Sequence, residues 1–119
     1  MQLSKNLSLA EVIRSETAKR KGISNMPTPE HIENFKKLAQ NVFQPIRDHF
    51  NRAIFLSSGY RSAELNKITK GASSTSQHCS GEAIDIDMDG TEITNKQVFD
   101  YIIYFINKFY ILFVSINKS

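Results

Sequence analysis

The chain is poor in the features that would settle its class at once. It holds one cysteine, Cys79, so no intrachain disulfide can form and the fold must be held by packing, which leaves the redox compartment open. Its first residues, Met1 to Leu9, lack the continuous apolar core of a secretion signal, and any work outside the cytoplasm would require another route of release. No internal repeat or low-complexity stretch occurs. The most apolar run, Tyr101 to Ile116, is interrupted by Asn107 and Lys108 and is shorter than the ~20 apolar residues of a membrane span, so it reads as a buried helix followed by a buried strand.

Charge is equally restrained. A net charge of +3 and a pI near 9.1 are a mild basic excess, far from the concentrated stripe of a nucleic-acid binder. What is present is ordinary for one folded domain: 119 residues, 40% hydrophobic and 23% charged. A monomer with no nucleic-acid partner and no membrane span is expected.

Ser8 and Glu11 have capping-box spacing before Leu9, Val12 and Ile13, which predicts a helix ending at Gly22. Residues 23–29 form a proline-punctuated linker. Thr28-Pro29-Glu30 starts a second helix carrying Ile32, Phe35, Leu38, Ala39, Val42, Phe43 and Ile46 on one stripe. Pro45 lies inside it, predicting a kink or break near Asn41 to Gln44. Ala53 to Ser58 reads as a strand, Ser62 to Ile68 as a short helix with Leu65 and Ile68 inward, and Lys70 to Gln77 as a polar loop. Glu82 to Met88 alternates as a strand and Asp89-Gly90 as a turn. Thr94 to Lys108 returns to helical period, and Phe109 to Ile116 reads as a last strand. Helices first and few strands predict an α+β fold, with N-terminal helices packed on a small, mostly antiparallel sheet.

The richest stretch is Ser76-Gln77-His78-Cys79-Ser80-Gly81-Glu82-Ala83-Ile84-Asp85. It sets an imidazole and a carboxylate on either side of a glycine turn, where both could reach one divalent metal at about 2 Å; zinc takes such donors. The same residues also suit a loop histidine and a water-facing sheet carboxylate. Upstream, Ser57-Ser58-Gly59-Tyr60-Arg61-Ser62 places an arginine just past a strand and a glycine, where its planar fork can enter a cleft and grip a carboxylate, or simply face solvent.

Together these motifs, with Leu65-Asn66 between them, resemble the M15 group of zinc D-alanyl-D-alanine peptidases. That group comprises D,D-carboxypeptidases, D,D-dipeptidases and phage endolysin endopeptidases that cut peptidoglycan stem peptides. The likeness runs from about Phe35 to Asp87. It implies the hedgehog/DD-peptidase-like α+β fold, with His78 and Asp85 as zinc ligands. Arg61 would stabilise an oxyanion or hold a substrate carboxylate, Ser76 would line the substrate pocket, and Gly81 would permit the turn between the ligands. It also implies peptidoglycan peptides as partners and, for a cytoplasmic or phage-encoded lysis protein without a signal, release through a holin.

One part of the pattern is not met. The group closes its site with a later strand bearing Trp-x-His, preceded by a glutamate that serves as general base. Here no histidine follows His78, and past Glu82 the only glutamate is Glu92. His31 and His49 fall on the long helix, Asp87 stands about 7 Å along the strand from Asp85, and Asp89 and Glu92 belong to a turn. The expectation is weak metal binding and little or no hydrolysis. Two alternatives stand beside a peptidase: a non-catalytic peptidoglycan-binding remnant, and an unrelated α+β interaction domain.

Overall fold

A short antiparallel pair opens the chain: β1 (Gln2–Ser4) with β2 (Leu7–Ser8). These strands are too short to display a period of two in sequence, yet they bury Leu3 and Leu7 in the main core. Gln44 pins the turn between them, accepting from the Asn6 amide at 2.9 Å and donating to its side chain at 2.8 Å. The computed structural model describes residues 1–69, 76–106 and 114–116.

The Ser8–Glu11 capping box forms as expected, but the first helix is two. α1 (Leu9–Ile13) stops at Arg14, and α2 (Glu16–Lys21) restarts behind Ser15. Ser15 supplies the reason: its backbone is extended and its hydroxyl accepts from the Ala18 amide, capping a new helix at the point where the first could have continued. Gly22 closes α2 in the left-handed conformation with φ +68°.

Thr28 caps α3 (Pro29–Leu38), which passes through a π turn (Ala39–Phe43) into α4 (Gln44–Phe50). Pro45 is the cause. It has no N–H to donate and would crowd the carbonyl four residues back. The widened turn, in which the Gln44 amide reaches the Ala39 carbonyl five residues earlier, absorbs the ring without the expected break. The apolar stripe of this long element, Phe35, Leu38, Ala39, Val42, Phe43 and Ile46, is the centre of the core.

Against it lies a three-stranded sheet in the order β3 (Leu56–Ser58), β4 (Ile84–Ile86), β5 (Val114–Ile116). β3 and β4 are antiparallel, with a register irregularity between Leu56 and Ser58; β4 and β5 are parallel. The class is therefore α+β with mainly antiparallel pairing. The strands are shorter than the alternation suggested, because Glu82 turns back to donate to the Gln77 carbonyl before β4 begins. α5 (Ala63–Ile68) buries Leu65 but leaves Ile68 exposed, contrary to its expected inward position.

α6 (Asn95–Phe105) starts at a Thr94–Gln97 capping box and buries Val98 and Ile102. Its other face is exposed and carries large apolar groups, with Tyr104 79% and Phe105 72% accessible, so the helix is not buried throughout. Most of the expected 70–77 loop, and residues 107–113 of the expected last helix and strand, lie outside the described residues. Among the described residues no helix is long and apolar enough to cross a membrane.

Candidate functional site

His78 is delivered by a single 3-10 turn, Gln77–Ser80, directly ahead of β4. Ser76 caps that turn, its hydroxyl accepting from the His78 amide, and Asn34 of α3 grips the far end by donating to the Ser80 carbonyl at 2.8 Å. Gly81 then takes φ +77°, and a Cβ there would lie 2.3 Å from the His31 carbonyl oxygen. Only glycine satisfies both the left-handed backbone and this approach to α3. The implied role of Gly81 is thus met in the geometry.

The turn buries His78 to 8% exposure and points its ring at β4. Nε2 lies 3.4 Å from Asp85 Oδ1, while Nδ1 lies 2.5 Å from the Gly59 carbonyl oxygen. A carbonyl can only accept, so Nδ1 is the nitrogen that donates there, and Nε2 is the one that faces the carboxylate. A proton or a metal ion between Nε2 and the carboxylate would each suit this separation. Two donors each about 2 Å from one tetrahedral ion stand about 3.3 Å apart, close to the separation found. The Gly59 carbonyl is a participant that sequence patterning did not disclose; it orients the ring as outer partners of ligating histidines do.

Arg61 stands beside the pair. Its amide donates to the His78 carbonyl at 3.2 Å and its Nη2 to the Ser76 hydroxyl at 3.1 Å. Its Nε is buried and finds no partner among the described residues. Ser76, His78 and Asp85 line one cleft of about 200 Å³, together with Val114 and Ser115 of β5. Parallel register sets Ser115 next to Asp85, so the neighbouring strand offers a hydroxymethyl group where a third strong donor could stand. That position too was missed, because the pairing of β5 is not encoded in local pattern.

The remaining candidates do not join them. His49 stacks on Tyr101 at a ring separation of 4.2 Å, and His31 packs against Tyr60 at 5.7 Å. Asp87 and Asp89 accept from Asn95 at the start of α6. Cys79 is half-buried, and burial raises its thiol pKa, opposed by the nearby Arg61 charge. Among the described residues no group of three His, Cys, Asp or Glu side chains could hold one metal. The donor pair suits two corners of a tetrahedral site, but the three-ligand set of a catalytic zinc is not completed by the described residues.

A peptidase M15 family model matches residues 5–107 of the chain, and the protein belongs to that family, which is generally zinc-dependent. The match stops short of β5, the strand that carries Ser115. Comparison with curated proteins and with solved structures gives no match.

Proposed function

We propose that the protein is a metallopeptidase-like member of its family that binds peptidoglycan stem peptides in the cleft bounded by Arg61, Ser76, His78 and Asp85. The observation that carries this reading is the approach of His78 Nε2 to Asp85 Oδ1 at 3.4 Å, with the Arg61 guanidinium bonded to Ser76 on the lining of the same cleft. The guanidinium suits a peptide carboxylate or a polarised carbonyl oxygen, and the pair attracts a cation. His78 and Asp85 hold zinc weakly, as two donors without a third. Among the described residues the late glutamate, Glu92, stands on the surface with Arg52 and does not line the cleft, so it is not placed to serve as general base there. Recognition therefore outlasts hydrolysis: the chain binds stem peptides and turns them over little or not at all. A monomeric, endolysin-like protein released by a holin is the setting this implies.

The test is direct. Purified protein is titrated with a peptide ending in D-Ala-D-Ala while metal content and cleavage products are followed by mass spectrometry. Saturable peptide binding, substoichiometric zinc and negligible cleavage are expected. Absence of peptide binding overturns the recognition, and stoichiometric zinc with rapid cleavage overturns the deficiency.

A further inference from the structure

Arg61 lines a second and larger cleft, distinct from the one that holds His78 and Asp85. This cavity of about 510 Å³ lies between the α1–α2 junction and β3, and its walls include Arg14, Glu16, Thr17, Ser57, Ser58 and Arg61. We propose that it is an anion-binding subsite in which Arg14 and Arg61 together hold a free carboxylate of the bound peptide, so that acidic stem peptides are preferred over amidated ones. This rests on the stem-peptide reading given above and extends it to a residue, Arg14, outside the motifs that suggested that reading.

Three observations support the assignment. The first is charge. Two guanidiniums face one carboxylate, Glu16, and the remaining ionisable wall residue, Tyr60, stays an uncharged phenol because burial raises its pKa. The cleft therefore keeps one net positive charge. Among the described residues neither Arg14 nor Arg61 is engaged in an ion pair, so the charge of each is open to a ligand.

The second is construction. The backbones that present the two arginines are stapled together. The Tyr60 amide donates to the Val12 carbonyl at 2.7 Å. The Asn25 side chain donates to the carbonyls of Ile13 and Tyr60, the residues immediately before Arg14 and Arg61, and accepts from the Ser62 amide at 2.7 Å. A Cβ on Gly59 would lie 2.4 Å from the Val12 carbonyl oxygen, so the two segments meet as closely as backbone allows. The arginines thus leave one fixed frame, which lowers the ordering cost of a shared ligand.

The third is continuity. Arg61 also donates to Ser76 on the wall of the smaller cleft, so one peptide can touch both cavities through a single side chain. The hydroxyls of Thr17, Ser57 and Ser58 line the larger cavity and can serve the second carboxylate oxygen or the adjoining amides.

The experiment compares N-acetyl-γ-D-glutamyl-L-lysyl-D-alanyl-D-alanine, which has a free α-carboxylate on its first residue, with the same peptide amidated at that carboxylate. Each is titrated into 15N-labelled protein and followed by NMR. The acidic peptide should bind about tenfold more tightly, the margin of one charge-assisted contact, and should shift the amides of Ser15, Glu16 and Thr17. Arg14→Ala should abolish that preference while leaving the affinity for the amidated peptide unchanged, and Arg14→Glu should reverse it. Arg14 is exposed, so neither variant threatens folding. Equal affinities in the parent protein, or a preference that survives Arg14→Ala, overturn the subsite while the stem-peptide reading stands. Carboxylate-dependent shifts at Ser15 to Thr17, with none around His78 and Asp85, sustain the subsite and overturn the proposed function. Absence of any shift overturns both.

Discussion

His78 Nε2 and Asp85 Oδ1 approach to 3.4 Å across the mouth of a small cleft, and the Gly59 carbonyl on the far side of the imidazole decides which nitrogen faces the carboxylate. The relationship uses three separate pieces of chain: the glycine after β3, the 3-10 turn and the middle of β4. Those pieces bring an imidazole nitrogen and a carboxylate oxygen to the separation of two neighbouring donors on one tetrahedral ion.

Ser115 should control how tightly that pair holds zinc. It stands beside Asp85 in parallel register and lines the cleft with His78. Ser115→His should raise zinc affinity on the order of 100-fold by adding a third donor, and His78→Ala in that background should remove the gain. Competition with a chromophoric chelator measures both. If Ser115→His leaves affinity unchanged, β5 does not lie against Asp85 as described.

Arg61→Ala should weaken D-Ala-D-Ala peptide binding by about tenfold or more while the protein still folds, because charge-assisted contacts to a carboxylate contribute about 1.5–3 kcal/mol. Its backbone bond to His78 survives the substitution. Arg61→Lys should recover only part of the loss, since an ammonium cannot reach Ser76 and a ligand with one planar fork. Calorimetric titration checks the affinity, and circular dichroism checks the fold.

Three glycines separate backbone strain from steric collision. Gly22 has φ +68° with nothing near its missing Cβ, Gly59 has a neighbour at 2.4 Å without a positive φ, and Gly81 has both constraints, at φ +77° and 2.3 Å. Substitution by Ala should cost about 1 kcal/mol at Gly22, about 2 kcal/mol at Gly59 and more than either at Gly81. Urea unfolding of the three variants gives the order. A Gly81→Ala protein no less stable than Gly22→Ala would contradict the close contact between the turn and α3.

The elements legible in sequence were those whose cause is local. Thr28-Pro29, the Ser8–Glu11 cap and the stripe from Phe35 to Ile46 each state their structure within a few residues. Pro45 announced a disturbance, but whether the helix would break or widen depended on the packing of Val42, Phe43 and Ile46 around it, and a π turn keeps all three buried. The same limit applies at the site. His78, Asp85, Arg61 and Ser76 could be named from motif, whereas Asn25, the Gly59 carbonyl and Ser115 act through partners 12 to 37 residues away or on another strand. Asn25 sits in a linker that reads only as a spacer, and its three bonds exist because α1 and the segment after β3 happen to meet there.

Tyr60 should make the fold sensitive to alkali. Burial raises its phenol above the ordinary value of 10.0, with a smaller contribution from the neighbouring Cys79. A group whose pKa is higher in the folded state binds its proton more tightly there than in the unfolded chain. Its stabilising contribution is full below pH 10 and declines as the pH rises from 10 through the higher folded value, by at most about 1.4 kcal/mol per pH unit. Lysines titrate in the same range, so the parent protein alone cannot isolate the effect. The comparison with Tyr60→Phe can, because phenylalanine keeps the ring against His31 and Phe35 without an ionisable group. Urea midpoints taken between pH 8 and pH 11 should fall more steeply for the parent than for the variant. Parallel curves would mean that the phenol is solvated in the fold, and the anion-binding cleft would then gain a negative charge at high pH.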